Sequence, residues 1–457
     1  MKDLINSIDS FVWGPVTIVL LVGTGIFITF LVRMIQVRKF GYAIKILFGK
    51  FDDPNDEGEI THFQALSAAL SATIGTGNIA GVGTAIALGG PGALFWMWIT
   101  AFVGMATKYA EALLSLTFRK VHEDGSVSGG PMYYLEKGLG QKWLGMLFAF
   151  FAAVASFGIG NMVQANSVAE PALKYFHIPK IVTGIIIGLL AFAVIVGGIK
   201  RIGKVASRVV PFMTVFYFVG ALIVIIMNIG AVPHAFAVIF HDAFTGSSAA
   251  GGFAGAAVAQ SIRFGVARGV FSNEAGLGSA PIAHGAAKTK YPVREGLVAM
   301  LGPFIDTIVI CTMTGLVIVI TGAFTQVDSA GKALIGANLT ATAFDIGLPG
   351  VGEYIVSIGI IFFALSTIIS WSYYGDRSVE YLLGSKFIVP YRILYCVLIP
   401  VGATIQLELV WNISDIFNAL MALPNLIGII FLSGTVIKMT KEYFNDPERA
   451  TELKDIS

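Results

Sequence analysis

Charge is what this chain has least of. Only 13% of its 457 residues are Asp, Glu, Lys or Arg, against about 25% in a soluble globular protein. With 56% hydrophobic residues and a mean hydropathy of +0.79, the chain cannot cover itself with polar groups, so a bilayer is its expected solvent. The net charge of +2, with no basic stripe, excludes a nucleic-acid partner. There are two cysteines, Cys311 and Cys396, both inside apolar runs. They read as small buried hydrophobes and imply no disulfide framework. The first ten residues, MKDLINSIDS, are acidic as well as basic, and no small-residue cleavage site follows the first apolar run. No cleaved signal peptide is expected. The chain lacks a Gly-rich P-loop, GxSxG and HExxH, and its six histidines show no metal-ligand spacing. An ATP-driven pump, the common hydrolases and a bound cofactor are thereby disfavoured, and no enzyme activity is expected.

Long apolar stretches are abundant instead. A membrane-crossing helix needs about 20 mostly apolar residues. Such segments are predicted at Val12–Val32, Gln64–Leu88, Gly92–Leu116, Leu144–Val168, Ile181–Gly198, Val205–Ile229, Gly251–Ala287, Gly296–Thr321, Tyr354–Tyr374, Tyr391–Leu409 and Ile413–Val436. The expected fold is therefore an all-α integral membrane protein with eleven transmembrane helices. Basic residues test the count, because cytoplasmic loops collect Lys and Arg. With the N-terminus outside, 23 of the 30 basic residues fall on the inside and four outside, while Lys108, Arg263 and Arg268 lie within spans. That bias places the protein in the cell membrane, N-terminus out and C-terminus cytoplasmic.

The second and seventh spans are written unlike the others. The second is broken by Ser71-Ala72-Thr73-Ile74-Gly75-Thr76-Gly77-Asn78, and the seventh between Arg268 and Gly276. They lie five helices apart, an odd number, so they cross in opposite directions. Paired interruptions at matching places in two halves point to a transporter with inverted repeats and a midplane site. The predicted organisation is an extra N-terminal helix (1–40), a cytoplasmic connection (41–63), a first repeat (64–230), a second repeat (231–437) and a cytoplasmic tail (438–457).

A break at membrane depth is tolerated only where it lines a cavity or is buried in protein. It frees N–H groups for anions and C=O groups for cations. Gly81, Gly83 and Gly89 fit close helix packing, whereas the hydroxyl and amide at Gly75–Asn78 fit a binding site. In the seventh span, Phe271-Ser272-Asn273 is the expected contact, and Gly269 lies beside it. Arg268 and Glu274 either neutralise each other, cap half-helix ends or touch substrate. Asn161 and Gln164, three apart, share a helix face and suit either substrate or interhelical hydrogen bonds. Ser366, Thr367 and Ser370 offer hydroxyls to a hard cation or back to their own helix. Asp306 is a lone acid at membrane depth; it suits a cation site, a proton shuttle or an arginine partner, and spacing does not choose. Lys108 and Glu111 read as a local ion pair with the lysine reaching toward the interface.

Four segments carry a resemblance: ATIGTGNIAGVGTAIALGGPGALFWMW from Ala72, SGGPMYYLEKGLG from Ser128, GVFSNEAGLGSAPIAHGAAKT from Gly269 and PFIDTIVICTMTG from Pro303. Together they strongly resemble the sodium:alanine/glycine symporter family over nearly the whole chain. The resemblance implies cation-coupled uptake of small neutral amino acids and a LeuT-type five-plus-five inverted repeat with one added N-terminal helix. Ile74-Gly75-Thr76-Gly77-Asn78 is also similar to the unwound motif of the neurotransmitter:sodium symporters. That likeness implies a substrate carboxylate on Gly75, Thr76 and Gly77, and one Na⁺ near Asn78. It implies a second Na⁺ at Ser71 and Ile74 carbonyls with Ser366 and Thr367, Ser370 being an interchangeable candidate. The expected partners are a small neutral amino acid, Na⁺ and the lipid bilayer, and a monomer is compatible with the sequence. Proton coupling through Asp306 or Glu274 is the rival within the class, and an ion channel the rival outside it.

Overall fold

The computed structural model describes residues 7–8, 12–245, 254–328, 331–405 and 408–446. Its first long helix, α1 (Pro15–Leu31), starts on a proline whose missing N–H costs a helix start nothing. It ends at Arg33 and Met34, both left-handed, with φ of 55° and 54°. The short helix Ile35–Arg38 and the amphipathic α2 (Phe40–Leu47) follow. The next helix, α3 (His62–Thr73), is launched by a capping box. Thr61 Oγ1 accepts the Gln64 N–H at 3.2 Å, and Gln64 Oε1 accepts the Thr61 N–H at 3.1 Å. After a break, α4 runs over Gly77–Gly89, tilted 53° from α3.

Helix α5 (Ala93–Thr117) leads to a two-stranded hairpin, β1 (Lys120–Val121) with antiparallel β2 (Val127–Ser128). Then come α6 (Lys142–Phe176), α7 (Lys180–Ile195), α8 (Gly198–Met227) and α9 (Val232–Thr245). The second broken segment is α10 (Ala254–Asn273) with the one-turn α11 (Ala280–His284). It is followed by α12 (Pro292–Ile320), α13 (Gly336–Gly347), α14 (Gly352–Leu383), α15 (Ile388–Thr404), α16 (Glu408–Phe431) and α17 (Ser433–Asn445).

Among the described residues, six helices are long and apolar enough to cross a membrane, and the α3–α4 pair makes a seventh if counted as one span. Helix covers most of each of the eleven predicted stretches, but the boundaries move. The stretch at Ile413–Val436 bends at Leu432 into the separate helix α17, and α14 runs nine residues beyond Tyr374 to Leu383. Residues 251–253 of the seventh stretch and 406–407 of the tenth lie outside the described residues.

The two halves of the chain meet pairwise. Helix α7 packs on α15, α6 on α14, and α5 on α10. Small residues let the backbones close: a methyl at Gly184 would sit 2.7 Å from the Pro400 Cα, and one at Gly160 would sit 2.4 Å from the Trp371 Cβ. Such contacts replace the hydrophobic drive that is missing between helices in lipid.

Candidate binding site between two broken helices

The first break falls where the sequence placed it. Ile74 leaves the helix (ψ 91°). The Gly75 N–H, freed at the break, donates to Asn78 Oδ1 at 2.9 Å. The chain then re-enters through a π-turn at Gly77–Gly81. Such turns insert one residue and gather at functional sites. The second break differs from expectation. Helix α10 stays intact through Asn273, and the interruption spans Glu274 to Ser279. Glu274 is left-handed at φ 56°, and Gly276 and Gly278 follow at 89° and 84°. The glycines, rather than the Phe-Ser-Asn step, decide the place, because only they take positive φ freely.

Asp306 sits between the two breaks, fully buried in a π-turn of α12 (Phe304–Cys311). Its Oδ1 accepts the Asn78 amide at 2.6 Å. Its Oδ2 accepts hydroxyls from Ser272 at 2.8 Å and Thr307 at 2.7 Å. Asn273 donates to Thr307 at 3.1 Å. Thr314 donates to the Asn78 carbonyl at 2.8 Å, and Tyr217 holds Thr314. One carboxylate thus ties both broken helices together, and carboxylate and hydroxyl oxygens of the kind hard cations take gather there.

A second oxygen cluster joins α3 to α14. The Ser71 carbonyl accepts hydroxyls from Thr367 at 3.2 Å and Ser366 at 3.3 Å, and the Ser71 hydroxyl donates to the Ser366 carbonyl at 2.8 Å. Both α14 hydroxyls also return to the Phe363 carbonyl. Ser370 is buried one turn on, and its hydroxyl has no partner among the described residues.

Above these clusters lies the space around Gly75 and Gly77. A methyl at Gly75 would come 2.7 Å from Thr367 Oγ1 and 3.7 Å from Gln164 Oε1; one at Gly77 would meet the Ser272 Cα at 3.1 Å and the Phe271 ring at 3.3 Å. Gln164 donates to Thr76 Oγ1 at 3.3 Å, while its Oε1 is buried and unpartnered. A cavity of about 520 Å³ starts at Thr76 and opens past Asn166 and Glu170 toward Lys174 and the first turns of α14. A polar cavity of about 820 Å³ lies by the last turns of α14, at Tyr373, Arg377 and Glu380. The Ser366–Ser370 segment stands between the two.

Four expected site residues are placed elsewhere. Asn161 donates to the Tyr395 carbonyl at 2.6 Å, turned toward α15. The π-turn at Gly158–Met162 shifts the helical phase, so Asn161 and Gln164 no longer share a face. Gly269 faces α5, 3.4 Å from the Met97 Cα when given a methyl; it is a packing residue. Arg268 and Glu274 do not pair. Arg268 reaches Asp415 on α16 at 3.7 Å and lies over the Phe271 ring. Glu274 accepts Trp371 Nε1 at 3.0 Å and the Ser279 hydroxyl at 2.6 Å.

Other residues enter unannounced. Cys311, read as a plain buried hydrophobe, lies 3.3 Å from the Ser272 hydroxyl and 3.4 Å from the Asn78 amide. Lys108 and Glu111 are buried, at 3% and 0% exposure, so the lysine does not reach the interface. Glu111 accepts the Gly276 N–H at 3.1 Å and the Asn425 amide at 2.6 Å, strapping the second break to α5 and α16. Glu295 is held by both His62, the first residue of α3, and His284, the last of α11. Only the presence of an acid or amide inside an apolar run signalled these; their partners are far away in sequence.

The family model described as the sodium:alanine symporter family matches residues 1–456. The chain belongs to the sodium:alanine symporter family. This family member is 54% identical over 447 residues to the sodium/alanine symporter AgcS of Methanococcus maripaludis, covering 96% of this chain and 97% of that protein. It is 48% identical over 446 residues to an uncharacterized transporter of Haemophilus influenzae, covering 97% and 96%. A manganese transporter of Eremococcus coleocola shares the fold at a TM-score of 0.51 and 12% identity, over 88% of this chain and 86% of that one.

Proposed function

We propose that this protein is a Na⁺-coupled symporter carrying alanine and glycine into the cell by alternating access. In this reading the chain crosses the membrane eleven times, N-terminus outside, as a five-plus-five inverted repeat preceded by α1. The observation that carries it is Asp306 bonded to Asn78 of one broken helix and Ser272 of the other. One Na⁺ would sit there, exchanging donated hydrogens for oxygen contacts, and Ile74, Ser71, Ser366 and Thr367 would hold a second, with Ser370 able to turn in. The substrate carboxylate would lie on the Gly75–Gly77 backbone, and its ammonium would meet Gln164 Oε1, which has no hydrogen to accept at present. The tight clearances at Gly75 and Gly77 keep that backbone free of side chains of its own, as a carboxylate lying on it would need. Family membership and the AgcS relative support the choice of alanine and of Na⁺.

Coupling follows from charge. A cation would neutralise the buried acid and draw both broken helices onto it, leaving the site ready for the amino acid. The ion gradient then drives the cycle: one charge moved across about 100 mV supplies about 2.3 kcal/mol. The two cavities at opposite ends of α14 are the expected approaches to the site. Purified protein in liposomes tests the reading through alanine and glycine uptake, with a Na⁺ gradient or a pH gradient imposed separately. Uptake that follows the pH gradient and ignores Na⁺ would replace it with a proton-coupled symporter using Asp306 as carrier.

A further inference from the structure

The turn that ends α1 builds a second site far from the transport pathway. Arg33 and Met34 are left-handed, and Arg38 donates back to the Arg33 carbonyl at 3.4 Å. This fold-back and helix α17 enclose a cavity of about 290 Å³ lined by Arg33, Arg38, Lys39 and Lys441 over Val32 and Phe444. Four cations share this small space. Among the described residues none of them forms an ion pair with a carboxylate; Glu442, next in sequence to Lys441, pairs with Lys438 instead. Lys39 rests 4.2 Å above the Phe444 ring, which fixes its ammonium at the cavity wall without neutralising it. Beside the cavity the surface is apolar and bare: Phe30 is 72% exposed and Val37 58%. A soluble anion would answer the charge but not this flank. A lipid answers both, with phosphate among the cations and acyl chains along α1.

We propose that this cavity holds the headgroup phosphate of an anionic phospholipid in the inner leaflet. The leaflet rests on the orientation read from the basic residues; the lipid class rests on the cavity alone. Cytoplasmic leaflets carry the anionic lipids, and basic pockets at that level bind their headgroups. The site joins the first membrane helix to the C-terminal amphipathic helix, so an occupied cavity fastens the two ends of the chain together.

The test uses the full chain in detergent and native mass spectrometry. Equimolar phosphatidylglycerol and phosphatidylcholine are offered to wild type and to the triple variant Arg33→Gln, Arg38→Gln, Lys441→Gln. Wild type is expected to retain phosphatidylglycerol over phosphatidylcholine by about tenfold, and the variant to fall to about equal binding. Equal selectivity in wild type and variant overturns the proposal. So does full displacement by soluble glycerol phosphate, which would mean a free-anion site. If the triple variant does not fold, Lys441→Gln alone is read, with a selectivity drop of about threefold expected and none overturning the idea. The readout is lipid selectivity, so it succeeds or fails independently of which substrate or ion is carried.

Discussion

The two broken helices solve one problem in opposite ways. At the first break the chain caps itself: Asn78, three residues on, takes the Gly75 N–H, and helix resumes at Gly77. At the second the interruption runs from Glu274 to Ser279 and is held from outside, by Glu111 of α5, Asn425 of α16 and Trp371 of α14. The first break is also bonded to its neighbours, through the Asn78 amide on Asp306 and Thr314 on the Asn78 carbonyl, but its freed Gly75 N–H keeps a local partner when the break tilts. A strapped break cannot move unless three other helices move with it. The physics is the same in both, since unpaired backbone groups away from water are costly. What differs is who satisfies them, and hence which break is free to respond to an ion.

The sharpest way to test this contrast is to remove the carboxylate that bonds to both broken helices. Asp306→Asn is expected to lower Na⁺ affinity about 100-fold, or about 2.7 kcal/mol, in Na⁺-driven alanine uptake. Unchanged Na⁺ dependence would remove Asp306 from the ion site. Next comes Gly75→Ala at the self-capped break, where the added methyl would press on Thr367 Oγ1 at 2.7 Å. Overpacking of this kind costs about 1–3 kcal/mol, and uptake should fall at least about tenfold; a fully active variant would show that the space at Gly75 is not the pocket. Gln164→Ala should raise the alanine KM about tenfold with the Na⁺ requirement intact, and a matching rise in the Na⁺ requirement would contradict a substrate-only role.

Asn425→Leu attacks the strapped break. It strips donors from Glu111 and Gly276, so about 1–3 kcal/mol of stability should be lost, read as a lower melting temperature. The Na⁺ affinity of the surviving protein should stay near wild type; a large change there would mean the second break also responds to the ion. The smallest effect is expected from Arg268→Gln. Its ion pair with Asp415 is partly exposed, at 25% and 11%, and such pairs are worth about 0–1 kcal/mol. Uptake at saturating substrate should change by no more than about threefold.

Much of the first break was legible because its signal is local. Gly75, Gly77 and Asn78 lie within four residues, and the capping bond they make is a short-range one. The second was legible in kind but shifted by a few residues, because Phe271, Ser272 and Asn273 look polar enough to break a helix while Gly276 and Gly278 set where it does break. The misplacement of Asn161 has a similar origin: a π-turn just before Gln164 has no simple sequence mark, yet it rotates every later side chain. Lys108 and Glu111 were misread for a different reason. Three-apart spacing suggests a pair, but Glu111 found better donors on α16.

By itself the sequence determined the membrane-spanning character, the helical class and the presence of two special segments. Hydropathy, charge and glycine placement act over a few residues or over whole loops, so they can be read along the line of the chain. Only the tertiary structure decided which polar groups meet. Asp306, Asn78 and Ser272 lie on three different helices, and Glu111 and Asn425 are 314 residues apart. In an interior without water each must find a partner, and the packing of helices chooses which one.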